Sequence, residues 1–304
     1  MTAGFWTGFA PISWPLKLTA KLSGLTATGR NMPNGDVKNT VRMPILHTEA
    51  STESLKGNRL NPMKSPAMII FDYGNTLIYE KELDLERAYK ALYAQIYKNP
   101  DKIDFIAFYK KGMAIFEKVK SRALKNDVEI HTHNFYNCLF QILNVEFNLS
   151  YTELELLFWE ALAPCRAMPN IEKLLLFLEG KNIRTAVISN IAFSEKALTA
   201  RINKYLPQNK FEFIIASSEY GFRKPDCLLF EAALKKACLS ADEVWYCGDN
   251  PRADVIGSAA LGIKPVLYTS SFACPYDNEN HISPDFEFTK ISDWDELIEL
   301  LINL

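Results

Sequence analysis

From residue 67 onward the chain repeats one local pattern: a short apolar run, a polar stop, then a stretch of helical periodicity. The runs are Ala67-Met-Ile-Ile-Phe-Asp72, Thr185-Ala-Val-Ile-Ser189, Phe213-Ile-Ile-Ala216, Glu243-Val-Trp-Tyr-Cys247 and Pro265-Val-Leu-Tyr268. Unbroken runs this short mark strands buried on both faces. Helical patterns separate them at 170–180, 194–204, 227–238 and 252–261. Such alternation predicts an α/β fold: a parallel sheet with right-handed crossovers and helices on both faces. A last helix is expected from Ser292, with Asp295 three residues on as a capping signal.

More than 100 residues separate the first run from the second, and they carry no β pattern. Phe105, Tyr109, Met113 and Phe116 recur at helical spacing, as do Phe135, Leu139 and Leu143. Ser150 and Glu153 form a capping-box pair before Leu154, Leu157 and Phe158. The expectation is an all-helical insert at 82–166, within a core formed by 63–81 and 167–304. The insert reads as a structural addition or as a lid, because it leaves the sheet at the carboxyl edge, where open α/β sheets bind ligands. Its aromatics, among them Phe105, Tyr109, Phe135, Phe158 and Trp159, either line a substrate pocket or form the insert's core. Helical spacing favours the core. His131-Thr-His133 is set aside as a metal pair, since positions two apart diverge on a helix.

Composition limits the function classes. The 304 residues are 48% hydrophobic and 23% charged, with a formal net charge of −2. This excludes a wholly disordered chain and a basic nucleic-acid binder. No stretch reaches the ~18 apolar residues of a spanning helix, so no membrane association is expected. The first 62 residues stand apart: they hold 7 basic and 3 acidic residues, 6 of the 13 glycines and 5 of the 15 prolines. They are read as a disordered or non-native extension, with Met63 resembling an independent start. The six cysteines include no C-x-x-C pair, which fits reduced thiols in a cytoplasmic protein. A monomer or homodimer is expected.

Polar residues gather where the strands finish: Asp72, then Ser189-Asn190, then Gly221-Phe-Arg-Lys224, then Gly248-Asp249-x4-Asp254. Singly, each is ordinary turn chemistry. Together, each at a strand's carboxyl end, they make a phosphoryl-transfer site. Asp72 is the candidate nucleophile. An anionic nucleophile approaching an anionic ester needs a cation, and Asp72 with Asp249 can hold Mg²⁺, a hard ion that takes oxygen ligands. Lys224 supplies a point charge, Ser189 with nearby backbone N–H groups binds phosphate oxygens, and Asp254 orients metal-bound water or Lys224.

These motifs resemble, in order, those of the haloacid dehalogenase-like superfamily: Asp72-Tyr-Gly-Asn-Thr76, Ser189, Lys224 and Gly248-Asp249-x4-Asp254. The resemblance covers about 66–304. It implies a Rossmann-like sheet, an inserted helical cap, Mg²⁺ dependence and phosphatase activity on a small phosphorylated substrate. The implied catalytic residues are Asp72, Lys224 and Ser189. Phosphate falls to Ser189, Asn190, Lys224, Tyr73 and Gly74, and metal to Asp72, Gly74, Asp249 and Asp254.

One departure matters. Phosphatases of this family usually place a second Asp two residues after the nucleophile as general acid and base, and here that residue is Gly74. Its backbone carbonyl can still serve a metal, but proton transfer is impaired. Such help is worth about 10²–10⁴-fold, so alkyl phosphates should react slowly and aryl or acyl phosphates should suffer less. The alternatives are a phosphonate hydrolase, which needs a lysine such as Lys81, Lys90, Lys110 or Lys111 over Asp72, and a near-inactive member that binds a phospholigand or a protein. A dehalogenase leaves the Asp249–Asp254 pair without a purpose.

Overall fold

The computed structural model describes residues 64–126, 128–269, 286 and 288–304; the N-terminal 62-residue extension expected from composition lies outside them. Strand β1 (Met68–Phe71) is followed by β2 (Ile78–Glu80), α1 (Leu85–Tyr93), β3 (Ile96–Lys98), α2 (Phe105–Asn126), α3 (Thr132–Leu143), β4 (Glu146–Phe147), α4 (Tyr151–Leu162) and β5 (Cys165–Ala167). Then come α5 (Ile171–Gly180), β6 (Arg184–Ser189), α6 (Glu195–Tyr205), β7 (Ile214–Ala216), α7 (Ser217–Tyr220), α8 (Cys227–Ala237) and β8 (Val244–Gly248). The chain closes with α9 (Gly257–Ala259), β9 (Lys264–Tyr268), β10 (Thr289–Ile291) and α10 (Trp294–Ile302).

Six strands form a parallel sheet in the order β10-β9-β8-β1-β6-β7. All four residues of β1 are buried, and they feed both layers of core. Ile69 and Phe71 join one cluster with α5, α6, α10 and the insert. Met68 and Ile70 join the other, with Leu229, Phe230 and Ala233 of α8. Burial on both faces explains why the run lacks a period of two. Because β1 is central, the chain passes to β6 on one side and to β8 on the other. That is the arrangement that opens a crevice at the strands' carboxyl ends.

The stretch between the first two sequence-predicted strands is not wholly helical. β2 pairs antiparallel with β5, and β3 with β4. Strands of two or three residues are too short to show a period. The β2–β5 pair flanks α1–α4, whose packing is aromatic: Tyr89 meets Phe108, Tyr109 and Phe158 edge-on at 5.2–6.2 Å. The Ser150–Glu153 capping box is present. A sixth sheet strand, β10, was not legible in sequence, and the last helix is capped by Asp293 rather than Ser292. The pattern at 252–261 opens as a π-helical turn, Pro251–Ile256, capped by the Asn250 side chain. Wide turns of this kind recur at functional sites.

Candidate active site

The polar stops of the strands converge. Asp72 follows β1, with its N–H donated to Cys247 O at the end of β8 (2.8 Å). Lys224, in the loop before α8, is 4% exposed and reaches across 152 residues of sequence to place Nζ 2.6 Å from Asp72 Oδ1. The same Nζ lies 2.6 Å from Asp254 Oδ1 and 2.7 Å from Tyr246 Oη. Ile188 O is a fourth acceptor, 3.2 Å from the same Nζ. Tyr246 Oη donates in turn to Ile188 O (3.0 Å). Asp72, Gly74, Ser189, Asn190, Lys224, Asp249, Asn250 and Asp254 border one small cavity at the sheet's carboxyl edge.

Each part has a local cause. Gly248 ends β8, and a Cβ there would collide with the Asp254 carboxylate. The π-helical turn carries Asp254 back over that glycine, where Oδ2 accepts the Asn250 N–H (2.9 Å). Asn190 holds Lys224 in place: its Oδ1 accepts the Lys224 N–H (2.7 Å), and its Nδ2 donates to Lys224 O (2.9 Å). The Asn190 side chain is thereby committed to the lysine loop. The Tyr73 side chain is also committed, since its hydroxyl accepts from Arg201 Nε (3.0 Å). Of the two, Asn190 borders the cavity.

The electrostatics follow from burial. Burial pushes the Asp72 carboxyl up to about 6, with the Lys224 charge opposing and the Asp254 charge adding. Asp249 is raised well above the usual carboxylate range by burial and then by the charges of Asp72 and Asp254. For Lys224, burial works against the ammonium, but Asp254 and Asp72 outweigh it and the net direction is up.

Asp72, Asp249 and Asp254 each place an oxygen within 4.8 Å of the other two. A set of hard oxygen donors, more negative than the one ammonium beside it neutralises, suits a divalent cation.

Sequence reasoning missed Tyr246, Asn250 and Asn75, whose Nδ2 donates to Asp249 Oδ2 (3.2 Å). Asn75 lies within the first motif and was within reach; Tyr246 sits in an apolar run that hides its hydroxyl. The four lysines considered for a phosphonate hydrolase are all exposed, and Lys90 pairs with Glu86 at 2.7 Å.

The His131-Thr-His133 reading needs correction. His131 is the N-cap of α3, and its Nδ1 accepts the His133 N–H (3.0 Å). The two positions therefore straddle a helix end, and their rings come within 4.2 Å instead of diverging. His133 Nε2 lies 3.2 Å from Glu155 Oε2, and the three residues form a second group of ligand-type atoms within 4.8 Å. Glu155 is fully buried and accepts from both the N–H and the hydroxyl of Ser194.

A buried ammonium among three carboxylates at the switch point of a parallel sheet is the kind of charged cluster an α/β hydrolase carries. Residues 69–268 match the family model described as haloacid dehalogenase-like hydrolase. The chain belongs to that family. It is 28% identical over 140 residues to a glyceraldehyde 3-phosphate phosphatase of Methanothermobacter thermautotrophicus, covering 45% of this chain and 59% of that protein. It is 23% identical over 242 residues to the enzyme of the same name from Pyrococcus furiosus, covering 78% and 95%. A solved structure, a HAD phosphatase from Thermococcus onnurineus, has 16% identity and a TM-score of 0.49, over 77% of this chain and 97% of that one. No helix among the described residues is long and apolar enough to cross a membrane.

Proposed function

We propose that this hydrolase is a Mg²⁺-dependent phosphatase of small phosphorylated metabolites, working through an aspartyl phosphate. The observation that carries the reading is the Lys224 ammonium 2.6 Å from both Asp72 and Asp254, beside Asp249. One Asp72 oxygen attacks phosphorus, the ester oxygen leaves with its electron pair, and water then cleaves the acyl phosphate to give phosphate and free Asp72. Lys224 and the Ser189 hydroxyl, with backbone N–H groups of Tyr73, Gly74 and Asn190, hold the phosphoryl oxygens. Asp72, Asp249, Asp254 and the Gly74 carbonyl would hold the metal, which when bound neutralises charge between nucleophile and ester. Asp254 also positions Lys224. The helical insert, α1–α4, serves as a cap. Gly74 offers no proton, so the leaving group departs unassisted by that position.

The test is hydrolysis of a panel of phosphate esters with and without Mg²⁺, in the parent and in Asp72→Asn. Metal-dependent turnover that disappears in Asp72→Asn supports the proposal. Turnover indifferent to the substitution refutes it, and binding without turnover would favour a phospholigand-binding module.

A further inference from the structure

A second and larger cavity, about 90 Å³ and partly open to solvent, lies between the insert and the loop after β6. Its walls are aromatic and aliphatic: Tyr89, Phe116, Phe135, Phe158, Trp159 and Phe193 border it. It adjoins the catalytic cavity along the chain. Ser189 and Asn190 border the catalytic cavity, and the next three residues, Ile191 to Phe193, border this one. Trp159 in its wall also meets Tyr73, the neighbour of the nucleophile, at 5.6 Å.

The polar groups of its wall are few, and three of them are engaged. Glu80 Oε1 accepts from Trp159 Nε1 (2.9 Å) and Arg201 Nη2 (3.3 Å). Thr132 Oγ1 donates to Ala192 O (3.0 Å). The Tyr136 hydroxyl has no hydrogen-bond partner among the described residues, although the residue is 1% exposed. A buried hydroxyl left unpaired is costly, and Tyr136 borders the cavity. Burial keeps it protonated, as a donor.

Gly74 points the same way independently. Without an acid to protonate the leaving oxygen, a phosphatase favours a leaving group that tolerates negative charge, and a phenol (pKa ≈ 10, as in tyrosine) does so far better than an alcohol. We infer that the substrate is an aryl phosphate, its ring seated in the aromatic cavity and a ring substituent accepting a hydrogen bond from Tyr136. This rests on the phosphatase reading and departs from the triose phosphate in the relatives' names, because a polar triose gains nothing from apolar walls.

The test compares phenyl phosphate, the three acetylphenyl phosphates, glyceraldehyde 3-phosphate and acetyl phosphate with Mg²⁺. Burying a ring is worth about 10–100-fold, and kcat/KM for phenyl phosphate should exceed that for glyceraldehyde 3-phosphate by this factor. Tyr136→Phe should raise KM for the best acetylphenyl isomer about 3–10-fold, with a smaller change for phenyl phosphate. Val119→Trp, at a half-buried position on the cavity wall, should lower the ratio of aryl to acetyl phosphate turnover about tenfold or more. Phenyl and glyceraldehyde phosphates turned over alike, with ratios unmoved by either variant, overturn the inference but leave the phosphatase reading intact. If no ester is turned over, both fall.

Discussion

Arg201 offers the sharpest test of what ties α6 to α4 and β2. Its side chain is 0% exposed, yet it is charged. From α6 it gives Nη1 to Glu160 (2.7 Å) and Nη2 to Glu80 (3.3 Å) and to Ala163 O. Nε goes to the Tyr73 hydroxyl (3.0 Å), and the guanidinium lies 4.5 Å from the Trp159 ring. One group thus ties α6 to β2, to α4 and to Tyr73, the residue beside Asp72. Arg201→Met keeps most of the apolar volume but strands Glu80, which is 6% exposed. Breaking a buried pair from one side costs about 3–5 kcal/mol, a large share of the ~5–15 kcal/mol available to a domain. Lys204 is the control. Its Nζ sits 2.8 Å from the same Glu160, but its side chain is 57% exposed. Lys204→Met should therefore cost at most about 1 kcal/mol. Urea unfolding followed by circular dichroism measures both. Adding Glu80→Gln to Arg201→Met should recover part of the loss, because the stranded charge is then gone. Equal costs for the two single variants would refute the reasoning.

Three further outcomes are expected. Gly74→Asp should raise kcat for alkyl phosphates by about 10²–10⁴-fold and aryl phosphates by less; no gain in a folded variant argues against the missing-acid account. Mg²⁺ affinity, measured by calorimetry, should strengthen as pH rises from 5 to 7. Burial holds the Asp72 carboxyl near 6 in the metal-free protein, so protons compete for the ligand below that pH; a flat profile contradicts this. Gly248→Ala should abolish turnover with secondary structure retained, since its Cβ needs the space of the Asp254 carboxylate; an active variant would show that Asp254 has room to move.

Much of the site was legible because parallel strands end in the crevice. Asp72, Ser189 and Asp249 each follow a recognisable apolar run, so local pattern alone placed them at one sheet edge. Lys224 follows no strand directly, and only its place in the order of motifs marked it. Asn190 shows the limit: it borders the small cavity, but its side chain braces the Lys224 backbone, which no spacing reveals. The insert's aromatics show the same limit. Helical spacing assigned them to core, and Phe135, Phe158 and Trp159 are indeed nearly buried, yet all three also border the larger cavity.

The sequence by itself determined the alternation of strand and helix, the edge at which polar residues collect, and the glycine at position 74. These depend on neighbours within a few residues, where hydrophobic period and turn chemistry act. Only the tertiary structure decided which groups meet: Lys224 with Asp72 across 152 residues, Arg201 with Tyr73 across 128, and Tyr136 with the wall of an aromatic cavity. Such contacts come from the packing of whole elements, and a side chain's partner in a packed core is set by what the other layers leave room for.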